Sequence, residues 1–114
     1  MKKSYLLGID IGTSACKVAV FDREGRVLAA ANGAYPVYYP YEGWAEQNPE
    51  EWWSAVCQAT KETIQKAGIA PEEIAGVGID GQSWSAIAID QEGKVLTNTP
   101  IWMDTRAQSV CDRL

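Results

Sequence analysis

Apolar and polar positions along the first 35 residues follow a two-residue period, broken twice by turn-forming clusters. Residues 5–10, YLLGID, make an apolar run that ends in an acid, dense enough for a buried strand. After a Gly-Thr-Ser turn, residues 16–22, CKVAVFD, alternate cleanly and predict a second strand. Asp22-Arg23-Glu24-Gly25 is a hairpin turn signal, and residues 26–35 predict a third strand. Strands joined by such short connections are expected to be antiparallel neighbours.

Residues 36–48 lose all periodicity and carry two prolines and four aromatic residues, which predicts an ordered loop lying over a surface. The period then changes to helical. Asn48 is placed to cap, Pro49 suits the first turn, and Glu51 sits where a capping-box partner belongs. Trp52, Trp53, Val56, Ala59, Thr60, Thr63, Ile64 and Ala67 fall on one broad face of the expected helix. Gly68 ends it, and Pro71 blocks its continuation. Residues 73–80 predict a strand which, following a helix, can run parallel to the first. Residues 85–90 and 94–98 flank an Asp90–Gly93 turn and suggest another hairpin. Residues 100–104 predict a last strand, and 105–114 a helix capped by Asp104 or Thr105. The reading is α/β with a mixed sheet. A chain that stops on a helix with no polar tail is expected to be a fragment.

Composition narrows the function classes. With 46% hydrophobic residues and five tryptophans the chain is a globular domain, and its 114 residues are enough for one core. Net charge is −5 and basic residues do not cluster, which argues against nucleic acid or an anionic membrane as partner. No apolar run approaches a membrane span. Three scattered cysteines without paired-ligand spacing read as reduced thiols of a cytoplasmic protein. Histidine is absent, so proton transfer would fall to a carboxylate.

Candidate chemistry sits after the first and the fourth main strands. In GIDIGTSACK (8–17), the amides and hydroxyls of Gly12, Thr13 and Ser14 can hold phosphate oxygens, with Lys17 adding positive charge. Asp10 repels phosphate directly, so its natural task is to hold a Mg²⁺ that bridges to it. The alternative is an ordinary hairpin turn capped by Asp10. The near-echo GIDGQSWS (78–85) has no cation. Asp80, Gln82, Ser83 and Trp84 instead bring an acid, an amide, a hydroxyl and an indole together at a strand end, more hydrogen-bonding groups than a core strand needs.

Four stretches in order carry a resemblance: GIDIGTSACKVAVFDREGRVLA, GWAEQNPEEWW (43–53), IAGVGIDGQSWSAIAID (74–90) and PIWMDTRA (100–107). Together they resemble the FGGY family of carbohydrate kinases, whose fold is the ribonuclease-H-like, actin-like ATPase fold. The resemblance implies a mixed β-sheet of three antiparallel strands, then a helix and a parallel strand, forming the N-terminal portion of the first domain. It implies phosphoryl transfer from ATP to a sugar hydroxyl with Mg²⁺, Asp10 being metal-linked, Gly12, Thr13, Ser14 and Lys17 bordering the phosphates, and Gln82, Ser83 and Trp84 reaching the sugar. Asp104 and Arg106 would border the cleft, or else form a helix cap with a local ion pair. The family's catalytic aspartate and its other nucleotide motifs lie downstream, so residues 1–114 are expected to be inactive alone. Sugar and ATP are the implied partners, with a homodimer left open. The pattern is most similar to the xylulokinase-like branch, although Ser83-Trp84 and Asp80 depart from it. Glycerol kinases carry Arg-Glu at 83–84, which disfavours glycerol. A non-catalytic sugar- or nucleotide-binding module on the same fold is the rival reading.

Overall fold

Four strands form the main sheet in the order β3-β2-β1-β5, as described by a computed structural model covering residues 3–114. β1 (Tyr5–Ile11), β2 (Ala15–Phe21) and β3 (Val27–Ala34) are antiparallel neighbours, as the short turns require. β5 (Ile74–Gly81) returns parallel to β1, in register from Leu6↔Gly76 to Ile11↔Gly81. Between them lie the two-residue β4 (Glu46–Gln47) and the long helix α1 (Pro49–Ala67).

Alternation assigns the two faces of the sheet. Leu7 and Ile9 of β1, Cys16, Val18 and Val20 of β2, and Ala31 of β3 are buried against Val56 and Ala59 of α1. Burying the leucine, isoleucine and valine side chains among these stabilises by about 1.5–3 kcal/mol each, so this layer holds the domain together. The opposite face carries Gly8, Asp10, Lys17, Asn32, Gly78 and Asp80 along an open hollow. The helix also sits unusually close to β3. A side chain at Gly33 would place its Cβ 2.9 Å from the Ala55 carbonyl and 3.0 Å from the Ala55 methyl.

Several expectations need correction. Asn48 does cap α1, accepting from the Glu50 amide at 3.0 Å, but Glu51 completes no capping box. Its carboxylate instead accepts from the Tyr38 hydroxyl at 2.7 Å, which pins the preceding loop. Trp53 is 67% exposed rather than buried, since its position faces away from the strands that α1 covers. Loop 36–48 is less irregular than expected: Tyr38 bridges Glu46, and β4 pairs with β6 (Thr99–Pro100). The strand expected at 100–104 stops at Pro100, which has no N–H to continue a ladder. The hairpin expected over 85–98 reduces to its turn and an isolated Ile89↔Val95 bridge. Ile87, Ile89 and Leu96 remain exposed, so no apolar face is buried to stabilise a ladder there. Helix α2 is only Gln108–Cys111, and neither Asp104 nor Thr105 is its cap. No helix among the described residues is long and apolar enough to cross a membrane.

Gly33→Val is expected to destabilise the fold by roughly 1–3 kcal/mol, because the helix backbone cannot retreat without unpacking Val56 and Ala59. Urea unfolding checks this, and a loss within about 0.5 kcal/mol of zero would contradict the close α1–β3 contact.

Candidate active site at the C-terminal edge of β1 and β5

The turn between β1 and β2 has an asymmetric hydrogen-bond pattern. Four consecutive carbonyls all accept from the protein side. Ile11 O accepts from the Gln82 amide at 2.8 Å and Ser14 O from the Tyr35 amide at 3.2 Å. Gly12 O accepts from the Tyr35 hydroxyl at 2.5 Å, and Thr13 O from the Gln47 side-chain amide at 2.5 Å. The Gly12 N–H closes the turn onto Ala15 O at 3.0 Å. Among the described residues no acceptor meets the N–H of Thr13 or of Ser14. Satisfied carbonyls behind and unpaired amides in front make a surface that favours anions. Burial pushes the Tyr35 hydroxyl up to about 12, with Cys16 and Asp10 nearby adding to the shift, so it stays a donor throughout the neutral range.

Across the open face, register aligns one polar row. Asp10 stands opposite Lys17 on β2, Lys17 opposite Asn32 on β3, and Asp10 opposite Asp80 on β5. These four side chains line the hollow of about 600 Å³. Asp10, whose carboxyl faces Asp80 across the β1–β5 pair, holds the Asp80 pKa above the ordinary carboxylate value, by favouring a proton between the two carboxyls and by repelling a second charge. Crowded oxygen donors of this kind suit a hard divalent cation such as Mg²⁺, which takes one or two carboxylates and completes its shell with water or phosphate oxygens. Lys17 makes no ion pair among the described residues.

Sequence-derived candidates thus fall into two groups on one edge of the sheet. Asp10, Gly12, Thr13, Ser14 and Lys17 occupy the β1–β2 end. Asp80, Gln82, Ser83 and Trp84 occupy the segment leaving β5. Trp84 is 91% exposed and packs into no core formed by residues 3–114, and it holds a left-handed backbone at φ 65° that side-chain-bearing residues rarely adopt. Gln82 is half-buried, and its side-chain amide donates to Gln47 at 2.8 Å. Gly81 permits the close approach that brings this segment in, since a Cβ there would lie 2.8 Å from Ile11 O.

Three further residues belong to the site. Gln47, only 1% exposed, touches both groups. Asn32 extends the polar row, and the alternation of β3 against Lys17 was the signal for it. Trp102 donates its indole N–H to the Thr13 hydroxyl at 2.9 Å. Its only sequence signal is its place two residues before Asp104.

Asp104 and Arg106 form neither a cap nor an isolated pair. Asp104 accepts from the Ala45 amide at 2.7 Å and from the Arg106 guanidinium at 2.7 Å. Arg106 continues to Glu46 at 2.8 Å and lies over the Trp44 ring at 3.7 Å. The segment after β6 is thereby clamped to the loop that supplies Gln47. The guanidinium, together with the Ala45 and Arg106 amides, lowers the Asp104 pKa to about 2. A folded pKa below the unfolded value of 3.8 gives stability that is present above about pH 4 and is lost as pH falls toward 2. Asp104→Asn should therefore be less stable than the native chain near neutrality, with the gap closing through that acid window. A gap in urea midpoint that does not change with pH would contradict the clamp.

Comparison with known proteins accounts for this arrangement. Residues 5–114 match the profile of the FGGY family of carbohydrate kinases, N-terminal domain. The chain is 36% identical over 115 residues to a glycerol kinase of Desulforamulus reducens, covering 100% of this chain and 23% of that protein. Its fold superposes on a xyloylose kinase from Brucella ovis with a TM-score of 0.89 at 33% identity, covering 96% of this chain and 22% of the other. A gluconate kinase from Lactobacillus acidophilus gives a TM-score of 0.88 at 30% identity, with 96% and 22% covered. The chain thus spans less than a quarter of the length of these relatives. On the profile match over residues 5–114, with its three antiparallel strands, helix and returning parallel strand, this chain belongs to the FGGY family of carbohydrate kinases.

Proposed function

We propose that the full-length protein transfers the γ-phosphoryl group of ATP to a hydroxyl of a small sugar or polyol, and that this chain supplies part of the phosphate clamp and part of the acceptor pocket. The observation that carries the reading is the turn at 11–14, with its four carbonyls held by protein donors and the Thr13 and Ser14 amides left without an acceptor among the described residues. It lies beside Asp10 and at the same end of the sheet as the polar segment at 80–84. Thr13 and Ser14 would bind phosphate oxygens through their amides, and Lys17 would offset their charge from the open face. Asp10 would hold a Mg²⁺, which when bound neutralises charge on the phosphoryl oxygens. Asp80 stands between the two ends, close enough to Asp10 to share its proton or its cation. Ser83 and the exposed indole of Trp84 would orient the acceptor. The base that accepts the hydroxyl proton would come from beyond residue 114.

A ketopentose such as xylulose is the acceptor this reading favours. Ser83-Trp84 offers a hydroxyl and a ring face, whereas the Arg-Glu pair typical of glycerol kinases is absent. The named relatives span glycerol, xyloylose and gluconate kinases, so the acceptor panel should include all three compounds with further ketohexoses and polyols.

The test is Mg-ATP-dependent phosphorylation across that panel. The ketopentose is expected to give the highest kcat/KM. Asp10→Asn should lower kcat by about 10²-fold or more, as removal of a preorganised charge contact does. Trp84→Ala should raise the acceptor KM about 3–10-fold, the worth of a lost aromatic contact, with kcat for ATP turnover little changed. No transfer to any acceptor would overturn the kinase reading, and equal use of glycerol and xylulose would overturn the choice of acceptor.

A further inference from the structure

We propose that Gln47 is a positioning residue that locks the turn at 11–14 and the segment at 82–84 into one geometry, so that a nucleotide on the first orders the second. The inference rests on reading these segments as the nucleotide and acceptor ends.

A carboxamide offers two N–H donors and an oxygen able to accept twice. Gln47 uses all four capacities within the protein. Its Nε2 donates to Thr13 O at 2.5 Å and to Pro36 O at 3.3 Å. Its Oε1 accepts from the Trp52 indole at 3.0 Å and from Gln82 Nε2 at 2.8 Å. The side chain is 1% exposed, so water cannot substitute for a lost partner.

Orientation follows from these partners. Two carbonyls on one side and an indole N–H on the other allow only one placement of the Gln47 amide. That placement presents an oxygen to Gln82, which must then turn its NH₂ toward Gln47 and its own oxygen the other way. Gln82 Oε1 is buried and meets no donor among the described residues. The direction in which Gln82 can accept a hydrogen bond is therefore set by Gln47, not by Gln82 itself. The main-chain bond from the Gln82 amide to Ile11 O at 2.8 Å only extends the β1–β5 pairing and does not touch Thr13 or Ser14, so the Gln47 side chain is what connects their turn to Gln82. A shift of the Thr13 carbonyl when phosphate binds the neighbouring amides must move Gln47, or break a buried bond. Either way it is felt at Gln82.

Hydrogen–deuterium exchange of residues 81–85 in the full-length protein, with and without saturating Mg-ADP, reads this directly. In the native protein the nucleotide should slow exchange there at least about 5-fold, the lower bound of ordinary site–site coupling. Gln47→Glu keeps an oxygen for Trp52 and Gln82 but sets a carboxylate against the Thr13 and Pro36 carbonyls, and should abolish the response. Trp52→Phe removes one bond to Gln47 away from both segments and should keep the response despite lower stability. If Gln47→Glu does not fold, Gln82→Met cuts the link from the other side and should abolish the response equally. A native protein in which Mg-ADP leaves 81–85 unchanged, or a response that survives Gln47→Glu or Gln82→Met, would overturn the inference. Absence of phosphoryl transfer with this response intact would remove the kinase reading alone.

Discussion

The parallel, in-register pairing of β1 with β5 is the constraint on which the site depends. Without it Asp10 and Asp80 would not be neighbours, and Ile11 O would have no Gln82 amide to meet. The pairing is made possible by α1, which carries the chain back across the sheet and packs Val56 and Ala59 into the core chiefly against β2 and β3. Gly81 lets the strands stay close at their last pair, where any side chain would strike the Ile11 carbonyl. Two polar strand ends separated by 70 residues in sequence thus open on one edge of the sheet.

On that edge the protein divides backbone groups by side. The carbonyls of residues 11–14 point into Tyr35, Gln47 and neighbouring amides, which are themselves fixed by burial or by the sheet. What is left facing outward is positive in character, and Lys17 adds to it. The carboxylates of Asp10 and Asp80 face each other beside it, and the Asp10 charge raises the Asp80 pKa. The aromatic loop 36–48 supports the arrangement from outside. Arg106, gripped by Asp104 and Glu46 and lying over Trp44, keeps that loop attached to the segment bearing Trp102.

Much of this was legible in the sequence, for physical reasons that differ by element. The first three strands and α1 announce themselves because each buries one face, so periodicity, turn residues and the Asn48 and Gly68 caps all agree. The candidate site residues stood out because acids, hydroxyls and amides at strand ends have no place in a core. The hairpin over 85–98 misled because its alternation is genuine while its apolar side chains stay exposed, and alternation alone does not form a ladder. Gln47 stood inside the quoted GWAEQNP stretch, but a glutamine in an aperiodic loop gives no sign that it will be almost wholly buried among partners 5, 11, 34 and 35 residues away. For Asp104 and Arg106 a place at the cleft and a local cap with an ion pair stayed equally open because their spacing is local, whereas their further partners lie about 60 residues earlier.

Chemical-shift mapping of backbone amides during separate titrations with Mg-ADP and with xylulose addresses the division of the edge most directly. The account predicts that Mg-ADP shifts the Thr13 and Ser14 amides most strongly, while the sugar shifts residues 82–84 and leaves Ser14 little moved. A nucleotide that bypasses Thr13 and Ser14 and perturbs only 80–84, or a sugar that acts chiefly on the 11–14 turn, would contradict it.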